Sequence, residues 1–394
     1  MARKKIIYYG TALLLVIIVL KFLFLPSKAH DLSVKPFMLR VRLMHDVSKL
    51  ELKTKGAVKL EDLKTKRVIE KKADYPHAAV VLPGEEGVKI GQKTFSTSAI
   101  RLLAYPGTTL TVNGTSYRGE IDIRNTGGAL DVINRVELED YLKGVLPREI
   151  NSLWPFEMLK AQAIASRSFA VGKALRRKSK EYDLTDDTYS QVYGGRSAER
   201  WRTTKAVEVT EGRVLEYDGK ILTAYFHSNC GGHTQDALCV WNEGAPPLKG
   251  VKCHWCRWSP YFRWRVRIPT ETILKKLNEA GHPLAKIDDI RVGARDSSGR
   301  RHYVRIKSGN KWFEIDMTDF RYTLGNNLLK SANLQVKKYP FFYLFSGYGW
   351  GHGVGMCQWG ALGLSVRWQK AEKILKYYYP GAEIVSLKDI LGKR

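Results

Sequence analysis

From Phe37 to about Val136, apolar and polar residues alternate in short runs: FMLRVRLM, AAVVL, AIRLLAY, TTLTVNG and GALDVINRV. Each run is ended by Gly, Pro or Asn, which predicts a series of strands. Asn113-Gly114, between TTLTV and TSYRGEIDI, predicts a tight hairpin. Around Ser152 to Lys180 the period turns helical. Pro155 suits the first turn, Glu157 follows where the helix dipole favours an anion, and Arg176-Arg177-Lys178 sit at the end that favours cations. Short strands and loops return from Leu184 to Gly250. Residues 261 to about 338 then read as an inserted region with a helix near Thr270 to Ala280, a hairpin turning at Ser298-Gly299 and a helix around Met317 to Leu324. A short helix from Lys370 to Tyr379, stopped by Pro380-Gly381, closes the chain.

The expected fold class is α+β, with a β-rich N-terminal part, a central catalytic helix packed on mixed strands, an inserted α+β region and a glycine-rich C-terminal loop. The expected segments are 1–29, 30–135, 136–260, 261–338 and 339–394, the third and fifth forming two halves of one catalytic core.

Charge and the N-terminus narrow the surroundings. Sixty-five Lys and Arg against 39 Asp and Glu give a formal charge of +26, so the partner or environment should be anionic. Behind Arg3, Lys4 and Lys5, the run Ile6 to Leu25 is apolar except for Thr11 and Lys21, a length that suits a bilayer core with the start of the chain inside. The bulk is therefore expected outside the cytoplasm, held by this segment or released by cleavage near Ser27-Lys28-Ala29. Export makes nucleic acid a poor partner and a wall polymer or membrane surface a good one.

Candidate chemistry concentrates in two segments far apart in the chain. VELEDYLKGVLPREINSLWPFEMLKAQAIASRSFAVGKA places Glu149 in what reads as a Pro-Arg-Glu turn ahead of a helix. A partly desolvated carboxyl can hold a proton near neutral pH and pass it to a glycosidic oxygen. Most glycosidases need a second carboxylate, and no equally well-placed one is evident here, though Glu137, Glu139 and Asp140 lie upstream; a lytic mechanism, in which the sugar's own C6 hydroxyl attacks C1, removes that need. The plainer reading is that Glu149 caps the following helix. On that helix Lys160 and Arg167 are two turns apart and share a face, which suits a substrate-binding role or a solvated basic surface. The second segment, GYGWGHGVGMCQWGALG, surrounds His352 with glycines that permit close approach, and its Trp350 and Trp359 could stack on sugars. A tightly turned loop with a buried, satisfied histidine is the alternative.

Five cysteines, Cys230, Cys239, Cys253, Cys256 and Cys357, argue against a simple full set of disulfides in an exported chain. Cys253-x-x-Cys256 has the spacing of a metal knuckle, and Cys230 and Cys239 would complete a structural zinc site; His227 can replace Cys239, and His233 and His254 are further donors. Two disulfides, or free thiols, are the competing arrangements.

These pieces, with VINRVELEDYLKGVLPREI, WPFEMLKAQAIASRSFA, YFHSNCGGHTQDA and ILKYYYPGAEI in that order, resemble the stage II sporulation protein D or amidase-enhancer family of cell-wall proteins. The resemblance runs from about Tyr117 to Gly381. It implies a lytic transglycosylase that cuts peptide-stripped glycan strands of peptidoglycan to 1,6-anhydro-N-acetylmuramic acid ends. The family's catalytic glutamate falls on Glu149, and its important lysine, arginine and histidine on Lys160, Arg167 and His227. Ser228, His352 and Gln358 join these as expected substrate contacts. A non-catalytic activator of a cell-wall amidase is the other function the resemblance allows. They part at Glu149, which an activator would not require.

Overall fold

The structure, a computed structural model, describes residues 36–85, 87–177, 181–187, 190–241 and 244–392. The apolar run Ile6 to Leu25 and the segment 1–29 lie outside the described residues. Among the described residues no helix is long and apolar enough to cross a membrane.

The N-terminal strands form two sheets. Seven strands order as Leu184–Thr185, Met38–Val47, Leu130–Glu137, Glu120–Asn125, Ala99–Ala104, Val58–Asp62 and Val68–Ala73, and six more make a second sheet through Leu50–Lys55. Alternation explains the layering: Leu50, Leu52 and Thr54 point into the core while Glu51, Lys53 and Lys55 stay exposed. The hairpin forms where expected, with Thr109–Val112 antiparallel to Thr115–Tyr117 and both Asn113 and Gly114 at positive φ, as a primed turn requires.

Helix α1, Leu138–Glu149, follows directly on the strand ending at Glu137. The expected Pro-Arg-Glu turn is instead its last turn. Pro147 is tolerated there because the ring removes a single backbone bond near the helix end, and the chain becomes extended at Ile150. Glu149 is therefore the last residue of α1 rather than a cap for the next helix. That helix, α2, runs Phe156–Arg176, has Pro155 at its N-cap without a side-chain cap, and is buried on nearly all sides from Met158 to Gly172. Ala161, Ala163 and Ala165 are fully buried, so the small side chains admit neighbouring helices and strands rather than a ligand.

The inserted region has its own hydrophobic cluster, built around Ile273, Leu277, Val304, Ile306, Phe320 and Phe345. Thr270–Glu279 and Met317–Leu324 are helical, and Asp289–Val292 pairs with Tyr303–Ser308 across the turn at Gly299. Strand Phe342–Tyr348 pairs with Arg263–Pro269 and Leu334–Lys338 in a second three-stranded sheet that shares this cluster, so the region extends past residue 338. The two-residue strand Phe226–His227 runs parallel to Met356–Cys357, with His227 opposite Cys357.

Candidate active site

That short pairing brings the HSNC segment and the glycine-rich loop side by side at the mouth of a cavity of about 490 Å³. Gly351 permits it: at φ +111 its backbone passes so close to His227 that an added Cβ would lie 2.8 Å from the histidine's own Cβ. The cavity is lined by Glu149, His227, Ser228, His352 and Gln358, so five of the expected residues meet at one place.

Glu149 reaches the cavity from the end of α1. Its carboxyl accepts a hydrogen bond from Val192 N–H at 3.1 Å and another from Gln358. Burial nevertheless dominates and pushes its pKa up to about 7, and the negative end of the α1 dipole acts in the same direction. The other acid on the wall, Asp316, is committed to capping the helix at Met317–Leu324, where it accepts from Thr318 N–H and Asp319 N–H. Among the described residues lining the cavity, Glu149 is thus the one carboxyl not committed to a helix cap.

The two histidines have different states of satisfaction. His227 is buried, and Nδ1 lies 3.0 Å from the carbonyl of Val354; a carbonyl only accepts, so Nδ1 carries the proton and Nε2 a lone pair. That Nε2 has no hydrogen-bond partner among the described residues. Burial, with His352 and Arg300 nearby, holds the ring's pKa well below the usual histidine range, so it stays neutral. His352 was expected to contact substrate, but both its nitrogens serve the backbone: Nε2 donates to the carbonyl of Phe226 and Nδ1 accepts from Val354 N–H. Burial lowers its pKa to about 3, and its role is to hold the loop against the strand.

Lys160 and Arg167 do not line the cavity. Arg167 is wholly buried and grips Glu139 with Nε at 2.8 Å and Nη2 at 2.7 Å, while donating also to the carbonyls of Arg213 and Val207. Lys160 pairs with Glu157 at 2.8 Å. The face of α2 that meets the cavity is instead Phe169 and Lys173, one turn apart, a pair that a reading centred on Lys160 and Arg167 passes over. Tyr225 and Trp241 were also missed; their rings stack at 4.2 Å and both line the cavity. Trp350 lies on the wall with Lys330 Nζ 4.1 Å from its ring, whereas Trp359 packs among Trp154, Trp258 and Tyr261.

The sulfur cluster differs from the expected set. Cys230, Cys253, Cys256 and Cys357 are fully buried, unbonded to one another, and have their sulfurs within 4.8 Å of each other. Cys239 is exposed and stands elsewhere, because it lies on the short helix Leu238–Trp241 while the parallel strand pair carries Cys357 to the knuckle. The Cys230–Cys256 separation of 3.6 Å suits four thiolates about 2.3 Å from one ion, whose tetrahedral edge is about 3.8 Å. Cys230 N–H points at Cys357 Sγ, Gly232 N–H at Cys230 Sγ, and the Tyr378 hydroxyl lies 3.2 Å from Cys253 Sγ, an outer shell suited to thiolates. This buried cluster could hold a metal ion.

Residues 126–217 match the family described as Stage II sporulation protein, and residues 254–355, which include the inserted region, match a domain of unknown function (DUF8618). The chain is 33% identical over 314 residues to an uncharacterized protein of Brachyspira hyodysenteriae, covering 78% of this chain and 82% of that one. It is 30% identical over 292 residues to the amidase enhancer of Bacillus subtilis, covering 62% of this chain but 40% of that protein. Against stage II sporulation protein D of Bacillus amyloliquefaciens the identity is 30% over 276 residues, 66% of this chain and 78% of the relative. The chain belongs to the stage II sporulation protein D family.

Proposed function

We propose that the protein is a lytic transglycosylase of peptide-stripped peptidoglycan strands, with Glu149 acting first as acid and then as base. The observation that carries this reading is a single carboxyl with a pKa near 7 on the wall of a cavity whose other acid is committed to a helix cap. Such a group is present in both protonation states at neutral pH. In the reaction Glu149 gives its proton to the glycosidic oxygen as the bond from that oxygen to C1 breaks. The resulting carboxylate takes the proton of the C6 hydroxyl as O6 bonds to C1. No water is consumed, and the acid is restored.

The surrounding residues fit the parts. The Val192 N–H and Gln358 orient the carboxyl, the bare Nε2 of neutral His227 accepts from a sugar hydroxyl or N–H, and Tyr225, Trp241 and Trp350 offer ring faces. Zinc on Cys230, Cys253, Cys256 and Cys357 would supply fold closure, since a site with four thiolates leaves no position for substrate. Those ligands bracket the reacting wall: Cys230 follows His227 by three residues and Cys357 precedes Gln358. The N-terminal apolar run would anchor the protein to the membrane, with the cavity facing the wall.

The name of the Bacillus subtilis relative favours a second reading, in which the cavity binds glycan and the protein activates an amidase. Mass spectrometry of the products from amidase-treated peptidoglycan separates the two. Anhydro-muramic ends appearing with wild type and absent with Glu149→Gln support the transglycosylase. Absence of such ends with wild type that still stimulates an amidase supports the activator.

A further inference from the structure

Cys239, outside the buried sulfur cluster, has company of its own. Its Sγ lies within 4.8 Å of a carboxylate oxygen of Asp296 and a ring nitrogen of His302, while His302 Nε2 and Asp296 Oδ2 are 3.0 Å apart. The three come from different regions: Cys239 from the short helix of the core, Asp296 and His302 from the hairpin segment of the inserted region. Asp296 is held in place from behind. Its Oδ1 accepts from Ser298 N–H, Ser298 Oγ–H and Arg300 N–H, and Gln235 donates to Oδ2 at 2.7 Å. Arg300 in turn is buried and donates to the carbonyls of His233 and Cys230, which fixes this hairpin against the core.

We propose that Cys239, Asp296 and His302 form a second zinc site, one that clasps the inserted region to the core and leaves its fourth position open. One thiolate, one imidazole and one carboxylate are a donor set that zinc favours, and a carboxylate ordered by outer hydrogen bonds is the usual support for such a ligand. Two negative ligands balance the ion's charge. Because Cys239 and His302 both line the cavity, the open position faces it and takes water or an oxygen of a bound ligand. The buried four-cysteine cluster is closed; this one is open, and the two are independent.

The test uses full-length protein in detergent, equilibrated with excess zinc, freed of unbound ion and subjected to elemental analysis. Wild type is expected to retain one zinc per chain more than Cys239→Ser and His302→Ala. Equal zinc content in wild type and both variants overturns the proposal, whatever the four-cysteine cluster holds. A measurement on wild type alone guards against a misfolded variant. Iodoacetamide should alkylate Cys239, the exposed thiol, at least tenfold more slowly once zinc is added, as read by peptide mass spectrometry. An unchanged rate at Cys239 overturns the proposal equally.

Discussion

The two walls of the cavity are built differently. The core wall carries Gln358 beside Glu149 and His227, whose charged forms are disfavoured by burial and whose positions are set by backbone hydrogen bonds from Val192 and to Val354. The wall from the inserted region carries Arg301, Arg321, Tyr322, Asn326 and Asn327 on a separate hydrophobic cluster. A group that must exchange a proton at neutral pH needs desolvation, which only a well-packed core supplies. A surface that positions a polar substrate needs reach and hydrogen-bonding capacity instead. Under the proposed function, chemistry would fall to the first wall and substrate positioning to the second.

The largest expected effect is on the first wall. Glu149→Gln keeps the size of the side chain and removes the proton, so turnover on peptide-stripped glycan should fall by roughly 10²–10⁴-fold with little change in KM. Glycan binding measured by pull-down should survive. Turnover within tenfold of wild type would remove Glu149 from the mechanism and erase the contrast between the walls.

Arg167→Ala comes next and should act through stability alone. The substitution removes a wholly buried guanidinium with its hydrogen bonds and leaves half-buried Glu139 unpaired, a loss of about 3 kcal/mol in denaturant unfolding. If the variant were instead as stable as wild type with a raised KM, the arginine would belong to substrate binding, as the sequence suggests.

That contrast shows what the sequence can reveal. Alternation, the Asn113-Gly114 turn and the bounds of the helix at Met317–Leu324 are local signals, and the structure follows them. Glu149, His227 and Gln358 stood in motifs and do meet. Lys160 and Arg167 share a face, but which face of α2 meets the cavity depends on partners far away in the chain: Glu139 on one side, Tyr225 on the other. The fourth sulfur of the buried cluster was hidden for the same reason. Cys357 is 101 residues from Cys256 and arrives through a two-residue parallel pairing that no local pattern announces.

The raised pKa of Glu149 gives a smaller, pH-dependent effect. The folded protein holds this proton up to about pH 7, the unfolded chain only to its ordinary value near 4.5. The stability this group contributes is full below the lower value and is lost as pH rises through 7. Glu149→Gln does not ionise, so it should unfold at the same denaturant concentration as wild type near pH 4.5 and be more stable at pH 8, by up to roughly 3 kcal/mol. Parallel unfolding curves at both pH values would contradict the burial of this carboxyl.

The smallest expected effect lies on the second wall. Asn326 lines the cavity, and its Oδ1 is buried with no hydrogen-bond partner among the described residues, which leaves it an acceptor for a donor brought by the substrate. One neutral hydrogen bond is worth about 1 kcal/mol, so Asn326→Ala should raise KM roughly fivefold. Because the same bond would be made in ground and transition states, kcat should stay as it is. Steady-state kinetics on glycan strands of defined length read both quantities. A fall in kcat at constant KM would mean that the inserted region stabilises the transition state directly, and the division of labour between the walls would have to be redrawn.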